Sequence, residues 1–508
     1  MLRPLTHARL LAFVATLPMT AQAIPVIEKT LSNGMRVLMV ERHDEPTIAA
    51  GWVVRAGSAD ERPGMTGIAH LFEHLMFKGT KTIGTRDSKR DAELNDSQDN
   101  IQSKIREEWD VLREKQRRGE IADMLDPASR TPRLQRLMAE FDSLVKQQRA
   151  LTVKDELDRI YKQAGARGMN ANTTSDRTFF HIELPSNKVE LWAWLESDRL
   201  KNAVFREFYS ERDVVIEERR LRVDATPTGK AGEAFTAMVW QAHPYSWPVI
   251  GWISDVTQMT RDQANEFFAT YYAPNNITAV LVGDFNPGEV LQMLERYFGR
   301  IPANPKNPPK VITQEPVQTA EQRLNAEVES NPSTIIAFKT VPSVHRDAAA
   351  LEVLGSLLNG KSGRLYKELV LNQKSAVGVG AFYHGMKYGG TFSLYAMSAP
   401  DRRPEDLEPM LYAEIEKIAR EGLTEHELQG VKNRVRAESF SRMEGHAALR
   451  DALAEAEGRG TYKDFLDEPD RLTVVTNEDV KRVANVYFKK ERSNVMTIHR
   501  KAKEHEVK

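Results

Sequence analysis

His70-Leu71-Phe72-Glu73-His74 decides how the rest of this chain is read. Two histidines four apart lie on one helix face, a single turn from each other. Both imidazoles can then reach one metal ion. Glu73 projects beside them, a carboxylate placed to take a proton from an activated water. The order H-x-x-E-H reverses the H-E-x-x-H of the zincins. The flanks read as helix too. Thr66 is the expected N-cap, with Gly67 next; Ile68, Leu71, Phe72, Leu75 and Met76 then form an apolar stripe at helical spacing. His70, Glu73, His74 and Phe77 lie off that stripe. A helix packed by one face and bearing ligands on another suits a rigid metal site. Two surface histidines on an ordinary helix are the bland alternative, and the flanks argue against it.

Composition bounds the rest. The 508 residues exceed one ordinary core, so two or more domains are expected. A net charge of −1 leaves no basic excess for nucleic acid. Cysteine is absent, which excludes disulfides, thiolate zinc sites and an acylated-Cys anchor. Metal ligands must therefore be His, Asp or Glu. At the N-terminus Arg3, His7 and Arg9 precede an apolar run at 10–17, and Ala21-Gln22-Ala23 is an A-x-A cleavage site. Residues 1–23 thus read as a secretory signal, with Ile24 first in the mature chain and an uncleaved anchor as the alternative. No stable membrane anchor is expected after cleavage, because no later segment is long and apolar enough. In a Gram-negative cell this address is the periplasm.

Residues 30–34 supply a hairpin turn, and 35–40 and 48–54 read as strands. Residues 81–166 are rich in charge. Ile101, Ile105, Trp109 and Leu112 space like one helix face, and Leu134, Leu137, Met138 and Phe141 like a second. A protruding helical hairpin with solvated charges is expected there. Strand character returns at 170–184 and helix at 188–204 and 210–223. A buried strand ends in Val282-Gly283-Asp284. Pro302, Pro305, Pro308 and Pro309 mark a linker at 301–312. Beyond it the chain echoes itself. Val475-Thr476, Ala484-Asn485 and Tyr487-Phe488 repeat the order of Val256-Thr257, Ala264-Asn265 and Phe267-Phe268. Ile335-Ile336-Ala337-Phe338 likewise precedes a helix that lacks histidine. The fold expected is α+β: tandem duplicated domains at 24–300 and 313–508, each a mostly antiparallel sheet covered by helices, the hairpin inserted in the first, and only the first bearing metal.

A catalytic zinc takes three protein ligands and a water. The helical stretch Glu211-Arg212-Asp213-Val214-Val215-Ile216-Glu217-Glu218 offers candidates. Glu211 and Glu218, two turns apart, share a face. Alone, this cluster reads as solvated. The whole pattern resembles the pitrilysin/insulinase family of inverzincins, which includes the mitochondrial processing peptidase. The resemblance rests on Gly67-x-x-His70-x-x-Glu73-His74-x-x-Phe77-x-Gly79-Thr80, preceded by Leu31-x-Asn33-Gly34. It continues through Asn170-Ala171-x-Thr173, Glu211 to Glu218, His243-Pro244-Tyr245 and Val282-Gly283-Asp284-Phe285. It implies one Zn2+ per chain held by His70, His74 and Glu218, with Glu73 as general base and Glu211 as a supporting acid. It also implies that Asn170, Ala171 and Thr173 form a sheet edge pairing with an extended peptide. An ordinary core strand is the alternative there.

Two departures matter. His74 and Glu218 are separated by 143 residues, far beyond the family's usual spacing, and the charged hairpin accounts for the excess. Active members also carry an Arg and a Tyr seven apart in the non-metal half. Here Val370 and Val377 stand at those places, and neither donates a hydrogen bond. Arg364 and Tyr366 lie nearby but match a different, structural position. The resemblance therefore implies an exported zinc endopeptidase for unfolded peptides. It would be the metal-bearing subunit of a heterodimer whose homologous non-metal partner supplies Arg and Tyr. The competing expectation is a non-catalytic, chaperone-like subunit that keeps the fold.

Overall fold

The computed structural model describes residues 24–501, so the signal expected at 1–23 lies outside the described residues. Two sheets organise the chain. The first contains β1 (Ile27–Thr30), β2 (Arg36–Glu41), β3 (Thr47–Val54), β4 (Arg167–Thr173), β5 (Thr178–Pro185) and β6 (Ile277–Gly283), in the order β1-β2-β6-β3-β5-β4. The second contains β7 (Gln322–Val328), β8 (Ser333–Thr340), β9 (Ala376–Gly385), β10 (Gly390–Ser398) and β11 (Ser493–Arg500), in the order β7-β11-β8-β10-β9. Set side by side, the orders match strand for strand, with β1 extra. Each sheet holds one parallel pair, β2 with β6 and β7 with β11, and is otherwise antiparallel. The fold is thus α+β and duplicated.

The hairpin turn at 31–34 joins β1 to β2, whereas β2 and β3 are not neighbours. β6 lies between them. All seven of its residues are buried, the continuous apolar run of a strand covered on both faces.

The halves exchange covers. One face of the first sheet (Ile48, Ala50, Trp52, Phe180) packs against Leu71 and Phe72 of the helix Ile68–Leu75. Its other face (Leu38, Val53, Phe179, Val282) is closed by Leu449 and Leu453 of the helix His446–Arg459, from beyond the linker. In return Ala231, Phe235 and Val239 of the helix Gly229–Val239 lie against Ala337, Met496 and Ile498 of the second sheet. Glu457, fully buried, pins the exchange by accepting from Arg36, Arg55 and Thr278 of the first sheet and its margin. A cut at 301–312 would leave each sheet missing one layer.

The insertion is a helical hairpin, Ser88–Arg117 and Pro132–Leu151, followed by the helix Glu156–Gln163. Ile101, Ile105, Leu112 and Leu134 give it a small core. Its root is not merely solvated. Arg206, 1% exposed, donates from Nε to Asp91 Oδ2 at 2.8 Å. Its other nitrogens donate to the carbonyls of Lys78 at 2.7 Å and Thr80 at 3.1 Å. Arg261 donates to Asp99 Oδ2 at 2.8 Å. One buried guanidinium therefore locks the hairpin onto the loop that leaves the metal-motif helix.

Removing one partner of such a buried pair costs about 3–5 kcal/mol, because the other charge stays buried and unpaired. Arg206→Ala should lower the unfolding midpoint and expose the hairpin to limited proteolysis. A wild-type midpoint with an uncut hairpin would contradict this role.

Candidate metal centre

The helix Ile68–Leu75 is held at both ends. Its N-cap is Gly67, at φ 91°, rather than the expected Thr66. A Cβ at Gly67 would come within 2.6 Å of the Ile250 carbonyl oxygen, so a side chain is excluded on contact as well as conformation. The carboxylate that serves the helix start comes from Glu61, which accepts from the amides of Gly67 at 2.9 Å and Ala69 at 2.8 Å. Burial pushes the Glu61 carboxyl well above the usual carboxylate range, and the two amide bonds oppose that shift. Thr66 instead donates its hydroxyl to Asp255. At the other end, buried Arg199 donates to the Met76 carbonyl at 3.0 Å. Ile68, Leu71, Phe72, Leu75 and Met76 are all buried, and the histidines face the opposite way.

That face meets the helix Phe208–Arg219. His70 Nε2 lies 3.6 Å from Glu218 Oε1, and His74 Nε2 lies 3.3 Å from Glu218 Oε2. One ligand atom from each of the three residues fits within 4.8 Å of the others. Glu211 Oε2 sits 3.5 Å from His74 Nδ1, and its other oxygen takes Lys78 Nζ at 2.6 Å. Glu211 thus backs His74 and does not join the ligand set. Thr173 of β4 donates its hydroxyl to Glu73 Oε2 at 2.8 Å. Among the described residues β4 is an outermost strand, bonded to β5 on one side only. Asn170 on it is exposed, Ala171 buried and Thr173 half-buried.

These distances fit a divalent cation. Four ligands at the usual Zn–N and Zn–O lengths stand about 3.4 Å from one another in a tetrahedron. The chemistry of the donors agrees. If Nδ1–H of His74 is directed to Glu211, Nε2 of the neutral ring presents a lone pair to a carboxylate oxygen. Two acceptors at that separation repel unless a proton or a cation lies between them. His70, His74 and Glu218 therefore form a nest that favours positive charge.

The electrostatics divide the roles. Burial, helped by the His74 and Arg222 charges, pushes His70 down to about 3, so it is neutral and ready to ligate. Burial alone would also depress His74, but the Glu211 hydrogen bond and the charges of Glu218 and Glu73 raise it. Burial raises Glu73 against the Thr173 hydrogen bond, moving a carboxylate toward the range of a general base. Glu211 is held low, its burial outweighed by bonds from His74 and Lys78.

Val370 and Val377 both belong to the second half. Val370 is half-buried against its core, while Val377 is exposed on β9. Arg364 is structural: it grips both oxygens of Glu427 and the Gly422 carbonyl. His243-Pro244-Tyr245 lies at the seam of the halves, where Tyr245 donates to Asp176 at 2.6 Å and accepts from the Tyr388 amide. Two residues near the ligands were not singled out from sequence, Lys78 and Arg222. Each stands four residues beyond a site residue, His74 or Glu218, and that spacing was the available signal.

Two family models match this chain, "Insulinase (Peptidase family M16)" at residues 36–131 and "Peptidase M16 inactive domain" at residues 258–435. A Helicobacter pylori protein named zinc protease PqqE is 26% identical over 476 residues, covering 92% of this chain and 91% of that protein. The crystal structure of a protease from Helicobacter pylori has the same fold, with a TM-score of 0.75 at 24% identity, covering 93% of this chain and 99% of that one. The periplasmic protease PqqL from Escherichia coli gives a TM-score of 0.67 at 18% identity over 93% of this chain, which spans only 47% of that one.

Below the raised His74 value, zinc must displace a proton from that ring. Apparent zinc affinity should therefore rise about tenfold per pH unit through the acidic range and level off above the raised His74 value. Glu211→Gln, which removes the partner of Nδ1, should weaken binding about 10–100-fold. Competition with a chelating dye reads both; a pH-independent affinity, or no change in Glu211→Gln, would count against this geometry.

Proposed function

We propose, because the chain belongs to the insulinase (peptidase M16) family, that it is a zinc-dependent endopeptidase hydrolysing extended or unfolded peptides. One observation carries the reading. The carboxylate beside the ligand nest, Glu73, is tied through Thr173 to an edge strand with an unpaired side. Base, metal ligands and a backbone template for a substrate thus share one wall. The naming of relatives as zinc proteases supports the same chemistry.

His70, His74 and Glu218 would hold the ion. Zinc supplies two things when bound, a lower pKa for its water and polarisation of the scissile carbonyl. The chain does the rest. The substrate backbone pairs with β4 along Asn170, Ala171 and Thr173, which favours peptides free to adopt a strand. Glu73 removes a proton from the attacking water and returns it to the leaving nitrogen as the C–N bond breaks. Glu211 and Lys78 keep the His74 ring turned toward the ligand nest.

Two finer points belong to this proposal. The charged start, apolar run and A-x-A site at 1–23 support export, and the related Escherichia coli protein is named a periplasmic protease. Among the described residues no helix is long and apolar enough to cross a membrane. The second point is a homologous partner without metal. Val370 and Val377 offer no donor, and the Escherichia coli relative carries in one chain about twice this length. The same valines favour the rival reading, a non-catalytic subunit, and the intact acid–imidazole nest opposes it.

Glu73→Gln should bind zinc like the wild type, at one per chain, and lose activity on an unfolded peptide by about 10²–10⁴-fold. If the wild type, with or without a co-encoded homologue, cleaves no unfolded peptide, the enzyme reading fails. Equal activity of the isolated chain and the mixture would remove the partner.

A further inference from the structure

The end of the Glu218 helix is built with unusual care. Arg219 locks it, donating to both oxygens of Glu233 at 2.7 Å and to the Gly251 carbonyl at 2.9 Å. The next five residues, Arg220–Asp224, widen into a π-turn closed by the Ala225 amide on the Arg220 carbonyl at 2.7 Å. Thr226 Oγ1 donates to the Arg222 and Val223 carbonyls at 2.6 and 3.0 Å. A Cβ at Gly229 would come within 2.2 Å of the Val223 oxygen, so the close approach there admits only glycine. Single π-turns of this kind gather at functional sites.

What the turn presents is Arg222. Its NH1 meets Glu218 Oε1 at 2.6 Å, yet its side chain is 71% exposed. A guanidinium has five N–H donors, and this contact engages only one nitrogen. Exposed and in contact with Glu218 Oε1, that charge stands at the solvent side of the ligand nest. Its neighbour Arg220 turns away to Glu217. Lys78, the other cation nearby, is committed to Glu211.

We infer that Arg222 is a catalytic residue supplied by this chain itself, donating to the scissile carbonyl oxygen as negative charge builds on it. The inference rests on the peptidase reading and gives the site one donor that Val370 and Val377 do not provide. No bond is made or broken at Arg222; it stays protonated and moves from Glu218 toward the substrate oxygen, keeping the ligand carboxylate oriented in the free enzyme. A partner's donors would add to it.

The test compares Arg222→Gln and Arg222→Lys with wild type, all zinc-saturated. Three quantities are read: zinc stoichiometry and affinity, kcat and KM on an unfolded peptide, and the Kd of a phosphinic peptide that mimics the charged transition state. Arg222→Gln should keep one zinc and a near-normal KM, while losing about 10²–10³-fold in kcat, the usual cost of one oxyanion donor. The phosphinic peptide should lose affinity in parallel, and Arg222→Lys should recover part of both. Unchanged kcat and phosphinic-peptide affinity at saturating zinc would overturn the inference, as would a defect confined to zinc affinity. Wild-type inactivity would instead sink the peptidase reading, and the phosphinic-peptide affinities would still decide for Arg222.

Discussion

Everything at the centre of this protein follows from forcing two imidazoles and a carboxylate together on the surfaces of two helices. His74 Nε2 and Glu218 Oε2 stand 3.3 Å apart, and Glu211 backs the far side of the same ring. Such a group of acceptors is costly without positive charge among them. Arg222 NH1, 2.6 Å from Glu218 Oε1, and Lys78 Nζ, 2.6 Å from Glu211 Oε1, supply part of that charge in the metal-free protein. The helix that carries both imidazoles is held rigid. Glu61 and Arg199 grip the two ends of the short helix, and its apolar stripe is wholly buried.

The duplicated architecture supplies that rigidity. Each sheet borrows a covering helix from the other half, and Glu457 ties the loan down by a buried carboxylate shared between two arginines and a threonine. The same exchange leaves β4 at the rim of its sheet with one side free. The inserted hairpin grows from beside the metal-motif helix, and Arg206 and Arg261 fix its root against the body. A rigid wall and a free edge thus meet at Glu73.

Much of this was legible in the residues because it is local. A helical stripe with ligands off it depends only on 3.6-residue periodicity, and the duplication shows as a repeated order of apolar pairs. What escaped was what depends on distant chain. Glu218 stood out only through family resemblance, since 143 residues separate it from His74. Thr66 looked like the cap because Ser and Thr usually are, but a left-handed Gly67 and a carboxylate from Glu61 do that work. β2 and β3 are adjacent in sequence, yet β6 separates them through a parallel pairing that no short-range pattern encodes. The hairpin charges read as solvated, and Asp91 and Arg206 are instead buried partners, indistinguishable by type from the exposed pairs around them.

In the proposed function a peptide is held as a strand on β4 with its scissile carbonyl over the nest of His70, His74 and Glu218. A crystal structure of the zinc-loaded Glu73→Gln protein with an unfolded peptide tests this directly. The expected result is one ion bound by those three residues, and a peptide extended along Asn170, Ala171 and Thr173. A metal bound elsewhere, or a peptide that leaves the β4 edge empty, would contradict it.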